Sequence, residues 1–272
     1  MAWLTEPLTD GFVLRGLAAG LLASIACGAL SAFVVWRGMA FAGDALAHSV
    51  LPGIVVAYLL GFSLLLGALG AALVAVIGIG AITHQGTLRE DTAIGVMFSG
   101  LFALGVALLS KVAGYQDLHH ALLGNIVGVT PDDLIAMAGV VLVIVLAVVL
   151  FYKELLVTSF DPTHAVAIGL QPELVRYGLL ATIALTTVVA VQSVGVVLVL
   201  ALLVTPGAAA SLLSRRLGTI IVLSGVFAAV STIVGFYVSY YADTATGPSI
   251  VLVLTVIFAL AWLAGRLNHR VR

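Results

Sequence analysis

An acid and an imidazole stand four residues apart in the stretch GDALAHSVLPG, which occupies residues 43–53 of an otherwise apolar sequence. On a helix, Asp44 and His48 would project from one face with their β-carbons about 6 Å apart, so one ion could contact both side chains. An ionised Asp inside a bilayer costs roughly 2.5–3.5 kcal/mol on insertion scales and needs a partner, water or a cation. Oxygen and nitrogen ligands without a thiolate suit Mn²⁺, Fe²⁺ or Zn²⁺. The pattern therefore predicts a divalent-cation contact at this pair.

A purely structural interpretation fits the same spacing equally well. Asp44 would cap a helix that follows Gly43, and His48 would donate a hydrogen bond to a neighbouring carbonyl. Pro52 and Gly53 follow one turn later and would break or kink the helix in either case. Spacing alone leaves both interpretations open.

A second group of acids and imidazoles lies between residues 111 and 133. Asp117, His119 and His120 could hand an ion inward or contact a delivery protein, although solvated loop polarity accounts for them as well. Asp132 or Asp133, directly after Pro131, is expected to cap the next helix.

A third informative stretch is SFDPTHAVAIGL, residues 159–170. Asp161 suits a helix N-cap, Pro162 the first helical position and Gly169 the residue just past the helix end. The stretch therefore predicts a short helix over about 161–169. This helix could dock into a groove of a soluble partner, or it could be a simple surface connector.

The elements that position these residues are helices that cross a membrane. Of the 272 residues, 62% are apolar and only 8% are charged, and the apolar runs are long enough to cross the roughly 30 Å hydrocarbon layer many times. The sequence predicts one all-α transmembrane domain over 1–272, without a soluble domain. Its spans are expected near 12–36, 43–61, 64–82, 93–110, 132–151, 177–193, 195–213, 218–239 and 248–265. Because the second span is short, eight crossings are the alternative to nine.

The basic residues predict the orientation, since cytoplasmic loops collect Lys and Arg. With the C-terminus inside, only Arg15 and Lys111 fall outside. Nine fall inside: Arg37, Arg89, Lys153, Arg176, Arg215, Arg216, Arg266, Arg270 and Arg272. Nine spans then place the N-terminus outside.

Three further patterns predict local structure. Small residues recur every fourth position in the first span (Gly16, Gly20, Ser24, Gly28) and in the fourth (Gly95, Ser99, Ala103, Ala107), and such stripes let helices pack closely. Thr87 and Glu90 have the spacing of a capping box. Thr205 and Pro206 interrupt the seventh span and predict a kink.

Several function classes are excluded by what the sequence lacks. A net charge of −1 and two lysines argue against nucleic-acid binding. Neither Lys111 nor Lys153 follows a glycine, so there is no ATP-binding P-loop. The single Cys27 cannot form an internal disulfide. There is no GxSxG or HExxH motif, so we expect neither an enzyme nor a tightly bound cofactor.

Taken together, five stretches in this order resemble the permease subunit of the bacterial manganese, zinc and iron ABC importers, the ABC-3 family. They are GDALAHSVLPG, REDTAIGVMFSGLFALGVALLS, DLHHALLGNIVGVTPDDL, SFDPTHAVAIGL and VGVVLVLALLVTPGAAASLL. The resemblance runs from about residue 10 to 265. It implies a type II importer fold, related to vitamin B12 and siderophore permeases, with eight or nine membrane helices.

The resemblance also implies partners and residue roles. The chain would act as a homodimer with two cytoplasmic ATPase subunits and an extracytoplasmic metal-binding protein. Asp44 and His48 would lie on the metal path, whereas His119 and His120 match no firm family motif. The short helix would be the coupling helix that contacts the ATPase, with Asp161, Pro162, Thr163, His164 and Gly169 as its residues.

The expected function is ATP-driven import of Mn²⁺ or Zn²⁺, with Fe²⁺ as a third candidate, across the plasma membrane of a bacterium. The alternative from another class is an ATP-independent secondary metal transporter or channel.

Overall fold

The computed structural model describes residues 10–83, 88–110 and 128–270, and within these ranges every regular element is a helix. Long apolar stretches with few helix breakers account for this, because each backbone N–H and C=O in hydrocarbon must be paired within its own helix. The twelve helices are α1 (Gly11–Trp36), α2 (Ala42–Ser49), α3 (Leu51–Leu60), α4 (Leu64–Thr83), α5 (Glu90–Leu109), α6 (Pro131–Leu150), α7 (Tyr152–Phe160), α8 (Pro162–Ala167), α9 (Pro172–Val194), α10 (Val196–Leu213), α11 (Leu217–Ala242) and α12 (Thr246–Arg270).

Nine segments in the described ranges are long and apolar enough to span a membrane, which confirms the predicted number of spans. The second span consists of α2 and α3 together, Ala42–Leu60. Its helix is interrupted at Val50, two residues before Pro52. Proline has no N–H to donate to the preceding turn, so the predicted break at this point is present as a short interruption.

Helix α1 forms the centre of the bundle, and the small residues of the first span form its packing face. Gly16, Gly20, Ser24 and Gly28 are all buried. The hydroxyls of Ser24 and Thr232 on α11 lie 2.6 Å apart. A β-carbon on Gly28 would come within 2.9 Å of the Gly225 backbone. The first stripe is therefore a helix-packing face, as predicted.

The second stripe has a different environment. Ser99, Ala103 and Ala107 on α5 are exposed within the single chain, and a β-carbon added to Gly95 would meet no neighbouring atom within 4 Å. This face of α5 has no packing partner among the described residues.

Helix α10 continues through Pro206 and does not end there. The buried Ser31 of α1 compensates the backbone at this point: its hydroxyl accepts a hydrogen bond from the Gly207 N–H at 2.8 Å and donates to the Val204 carbonyl at 3.4 Å. A side chain on a neighbouring helix thus pairs with backbone groups next to the proline.

The predicted capping box at Thr87 and Glu90 is wrong. Helix α5 begins at Glu90 with Arg89 as its N-cap, and Arg89 makes no side-chain cap. Glu90 is therefore the first helical residue rather than the third, and Thr87 lies outside the described residues.

A capping box occurs instead at Thr130 and Asp133, where each side chain bonds to the other residue's backbone N–H. The N-cap of α6 is therefore Thr130 and neither Asp132 nor Asp133, and Asp133 closes the box from the third helical position.

Basic residues mark one end of the bundle. Arg37 follows α1 and contacts α7, and Arg176 lies in the first turns of α9, close enough to Arg37 to affect its charge. Arg15 is at the opposite end, where its Nε donates to the Val129 carbonyl at 3.0 Å. We call the end with Arg37 and α8, which the basic residues predict to be inside, the cytoplasmic end.

Candidate functional site

Asp44 and His48 face each other on α2. The Nε2 of His48 lies 3.6 Å from Oδ1 of Asp44, and the two side chains are 38% and 25% exposed. They are the two residues of α2 that are not buried; the other six pack against the bundle. The helix is therefore oriented so that its only carboxylate and its only imidazole point away from the core of the chain.

The turn before α2 sets this orientation. Gly38 has φ +69, a conformation that a β-carbon would disfavour. With this conformation at Gly38, the chain reverses direction after α1. The Met39 N–H donates to the Val34 carbonyl at 2.9 Å and closes the turn. On the buried side of α2, a β-carbon on Gly43 would come within 2.8 Å of Leu203, so α2 packs closely on α10.

The predicted capping role of Asp44 is wrong. Helix α2 begins at Ala42, its N-cap is Phe41 and it has no side-chain cap, so Asp44 lies inside the helix and does not cap it. Among the described residues, His48 forms no hydrogen bond with a carbonyl, and its nearest polar partner is Asp44.

Two aromatic side chains of α5 hold the imidazole. The His48 ring centroid lies 6.0 Å from that of Phe98 and 5.5 Å from that of Phe102, the latter in an edge-on arrangement. Phe98 and Phe102 stack on each other at 5.7 Å. Their spacing of four residues was visible in the sequence, but their contact with a helix more than 40 residues away was not.

The pair alone is an incomplete metal site. Within residues 10–83, 88–110 and 128–270, no group of three or more His, Cys, Asp or Glu side chains could hold an ion. Asp44 and His48 supply one carboxylate and one imidazole, which is fewer ligands than a divalent transition metal ion takes. Asp117, His119 and His120, the other predicted path residues, lie outside the described residues.

The predicted short helix over 161–169 is present as α8. Oδ1 of Asp161 accepts from the His164 N–H at 2.9 Å, and Pro162 begins the helix. At its end Gly169 has φ +84, and the Leu170 N–H returns to the Ala165 carbonyl at 2.9 Å. This is the Schellman arrangement that glycine permits.

Helix α8 presents most of its surface outward. Ala165 is its buried residue, whereas Thr163 and His164 are exposed. Val166 and Ile168 are 62% and 54% exposed in the single chain. The geometry suits a helix that docks on another protein.

The segment that leads into α8 is fastened to the end of α1. Nη2 of Arg37 donates to Thr158 Oγ1 at 2.8 Å, and Nε donates to Ser159 Oγ at 3.0 Å. The adjacent Trp36 packs edge-on against Phe160 with ring centroids 4.4 Å apart. Sequence reasoning missed this connection, because the partners are more than 120 residues apart.

Arg37 also belongs to a group of charges at the cytoplasmic end. Burial lowers the pKa of its guanidinium, Glu90 opposes that shift, and Arg176 adds to it. Arg176 is itself paired with Glu173 at 2.5 Å. These charges join the ends of α1, α5 and α9 close to the segment that carries α8.

Comparison with known proteins identifies what this arrangement is similar to. Residues 9–265 match the model of the ABC 3 transport family. The manganese transport system membrane protein MntC of Halalkalibacterium halodurans is 41% identical over 256 residues, which cover 94% of this chain and 88% of that protein. A probable iron transport system membrane protein of Haemophilus influenzae is 37% identical over 268 residues, covering 98% and 99% of the two chains.

A solved structure shows the same fold. The structure described as PsaBC from Streptococcus pneumoniae in complex with Fab superposes with a TM-score of 0.84 at 35% identity. The match covers 96% of this chain and 94% of the chain in that structure. The all-helical architecture of the described residues, with nine spans among them, is therefore that of an ABC transporter permease, as the sequence predicted.

Proposed function

The chain belongs to the ABC 3 transport family, and from this premise we propose that it carries a divalent transition metal ion into the cytoplasm past Asp44 and His48. It is a multi-pass membrane permease subunit, and ATP hydrolysis in this family belongs to a partner subunit. The main support for the proposed path is the orientation of α2. Its two half-exposed residues are the carboxylate and the imidazole, facing each other at 3.6 Å.

Two copies of the chain would complete the path. Symmetric dimers place the same surface of both subunits against each other, so a twofold axis near α2 would bring two carboxylates and two imidazoles to one route. Four such ligands are enough to hold a divalent ion transiently, and binding has to stay weak enough for release. The exposed small-residue face of α5, beside the same site, supports a neighbouring chain at this position.

Manganese is the first candidate for the transported ion and iron the second. The relatives named for their substrate are described as manganese or iron transport proteins. Zinc, which the resemblance also implied, fits the same ligands. The ion is the substrate of this protein, so no tightly bound cofactor is part of the proposal.

The coupling role belongs to α8, with Asp161, Pro162, Thr163, His164 and Gly169. Two ATPase subunits would bind the exposed α8 helices of the dimer, and an extracytoplasmic metal-binding protein would deliver the ion at the opposite end. Nucleotide binding would bias a two-state change of the permease. The expected location is the plasma membrane of a bacterium, with the whole chain, 1–272, as one permease domain.

Uptake of radioactive manganese into proteoliposomes tests the path. The permease is reconstituted with its ATPase and binding protein, as wild type, Asp44→Asn and His48→Gln. Asp44→Asn removes the carboxylate charge and His48→Gln removes the imidazole nitrogen, while both keep a side chain of about the same length. An amide oxygen is a weaker ligand than either group, so we expect uptake to fall at least tenfold while ATPase assembly is unchanged. Asp91→Asn is the matched control, because Asp91 is an exposed carboxylate on α5 outside the site. Full uptake by both site variants would refute the path.

The same vesicles separate the importer from an ATP-independent transporter or channel. The importer predicts no uptake when the ATPase or ATP is omitted, even with an imposed ion gradient. Uptake by the permease alone would favour the alternative. Competition among Mn²⁺, Fe²⁺ and Zn²⁺ in the complete system ranks the three ions.

A further inference from the structure

Three exposed arginines lie at the cytoplasmic end of α10, α11 and α12. Arg215 and Arg216 are in the connection between α10 and α11, and Arg266 is near the end of α12. The Nε1 of Trp36 donates to Ser211 Oγ at 3.2 Å, which places the end of α10 beside the end of α1 and therefore at the cytoplasmic end. We call Arg215, Arg216 and Arg266 the arginine corner.

The packing of α12 on α10 brings these three residues to one place. A β-carbon on Gly265 would lie 3.3 Å from the Leu212 carbonyl oxygen, so α12 touches the last turn of α10 immediately before Arg266. Arg215 and Arg216 follow Leu212 by three and four residues, which places their backbones within roughly 15 Å of this contact. Arginine side chains are long, so the three guanidiniums can approach one common ligand.

The positive charge of the arginine corner is not neutralised. From residue 174 to residue 272 the sequence contains one acidic residue, Asp243. It follows the far end of α11, a helix of 26 residues, which corresponds to about 39 Å. Within the part of the chain that the structure describes, none of the three guanidiniums forms an ion pair or a hydrogen bond. The corner therefore presents three positive charges that an anion would compensate.

The arginine corner lies at the depth of phospholipid headgroups. Each of its residues is within two residues of the end of a membrane span. The Arg266 guanidinium lies over the ring of Trp262, with its Cζ 4.0 Å from the ring centroid, and Trp262 is 40% exposed. Tryptophan is enriched at the membrane–water interface, and the cation–π contact holds the guanidinium there. Leu213 and Leu263, 42% and 51% exposed, add apolar surface on the membrane side.

We propose that the arginine corner binds the headgroup phosphate of one anionic phospholipid of the cytoplasmic leaflet. Guanidinium groups donate paired N–H bonds to phosphate oxygens, and a headgroup with a net negative charge is attracted by the uncompensated arginines. A zwitterionic headgroup carries its own cation beside the phosphate, which offsets this attraction. The acyl chains would lie against Leu213 and Leu263. The proposal does not rest on the metal path.

Native mass spectrometry of the full-length chain, purified with its ATPase and equilibrated in nanodiscs, tests this proposal. The nanodiscs contain equal amounts of phosphatidylglycerol and phosphatidylethanolamine with the same acyl chains. In the wild type we expect retained phosphatidylglycerol to exceed phosphatidylethanolamine at least tenfold. Arg215→Gln, Arg216→Gln and Arg266→Gln should each lower retained phosphatidylglycerol about fivefold. Arg89→Gln, at an exposed arginine of the same end that two acids follow, is the matched control and should retain the lipid as the wild type does.

A further variant separates a defined site from diffuse attraction between positive charge and the membrane. Trp262→Leu keeps all three arginines but removes the ring that holds the Arg266 guanidinium. We expect it to lower retained phosphatidylglycerol about two- to fivefold. Diffuse attraction depends on the charges alone and would not respond to this substitution. Thermal unfolding in detergent checks that each variant is folded.

Equal retention of the two lipids by the wild type would overturn the proposal, and so would unchanged retention in the arginine variants or in Trp262→Leu. If the arginine variants lose the copurifying ATPase but keep the lipid, the corner contacts an acidic surface of that subunit and the proposal is wrong. Because the readout is bound lipid, it does not depend on metal uptake, and the two proposals can fail independently.

Discussion

The guanidinium of Arg37 and the hydroxyl of Thr158 connect the end of α1 to the helix that precedes α8, with Nη2 and Oγ1 2.8 Å apart. Thr158 is itself bonded to the Glu154 carbonyl at 2.7 Å, so the contact fixes the α7 backbone as well. Seven residues after Arg37 along the chain lies Asp44. The contact therefore links the helix before α8 to the turn that leads from α1 into α2.

Arg37→Gln should uncouple ATP hydrolysis from transport. A hydrogen bond to a charged group contributes about 1.5–3 kcal/mol, so we expect metal uptake to fall about tenfold while the ATPase rate changes less than twofold. The measurement is the ratio of metal ions imported to ATP hydrolysed in proteoliposomes. Arg37→Lys keeps the charge but not the forked donors and should recover only part of the ratio. Arg89→Gln, at an exposed arginine of the same end, is the control. An unchanged ratio in Arg37→Gln would show that the contact transmits nothing.

Phe102→Leu should impair transport without loss of fold. The edge-on contact at 5.5 Å orients the imidazole of His48, and such aromatic contacts are worth about 0.5–1.5 kcal/mol beyond burial. We expect uptake to fall roughly two- to tenfold. Val106→Leu, at an exposed α5 residue one turn further on, is the comparison variant. If Phe102→Leu and Val106→Leu show equal uptake, Phe102 contributes to helix packing and not to the orientation of His48.

Gly67→Ala should destabilise the bundle. A β-carbon at Gly67 would overlap the Gly53 carbonyl, where α3 and α4 cross in backbone contact. Overpacking of this kind costs about 1–3 kcal/mol, and thermal unfolding in detergent should show a lower transition temperature. Gly70→Ala on the same helix meets no atom within 4 Å and should be neutral or slightly stabilising. A transition temperature that is equal in the two variants would contradict the crossing.

Asp161→Ala should weaken assembly with the ATPase. The carboxylate caps α8 by accepting from the His164 N–H, and loss of an N-cap costs about 0.5–2 kcal/mol. Asp161→Asn retains a cap of similar strength, so it should assemble nearly as the wild type does. Copurification of the ATPase with the permease measures the difference. If copurification of the ATPase falls equally in Asp161→Ala and Asp161→Asn, assembly depends on the negative charge of Asp161 and not on its role as a helix cap.

The parts of the site that the sequence predicted are those that depend on local chain chemistry. Asp161, Pro162 and Gly169 determine the start and end of α8 by backbone bonding within the helix itself. Asp44 and His48 meet because they are four residues apart on one helix. Hydropathy found all nine spans of the described ranges, since each spans the bilayer as its own hydrogen-bonded unit.

The parts that were missed depend on contacts between distant segments. Arg37 and Thr158 are 121 residues apart, and neither belongs to a motif. Glu90 has the spacing of a capping residue, but the helix begins at Glu90 itself, and its charge acts on Arg37 across the bundle. Single-sequence patterns contain no information about which helix ends come together, so these relationships require the structure.

Asp44 and His48 stand on the outer wall of one chain rather than in its interior. In the proposed homodimer, each protomer then supplies only half of the ligands along the transport path. A protomer that lacks Asp44 therefore inactivates the path it shares with a wild-type protomer. Random pairing of equal amounts of wild type and Asp44→Asn leaves about a quarter of the pairs with two intact halves. In a cell that makes both proteins, the defect should therefore be genetically dominant.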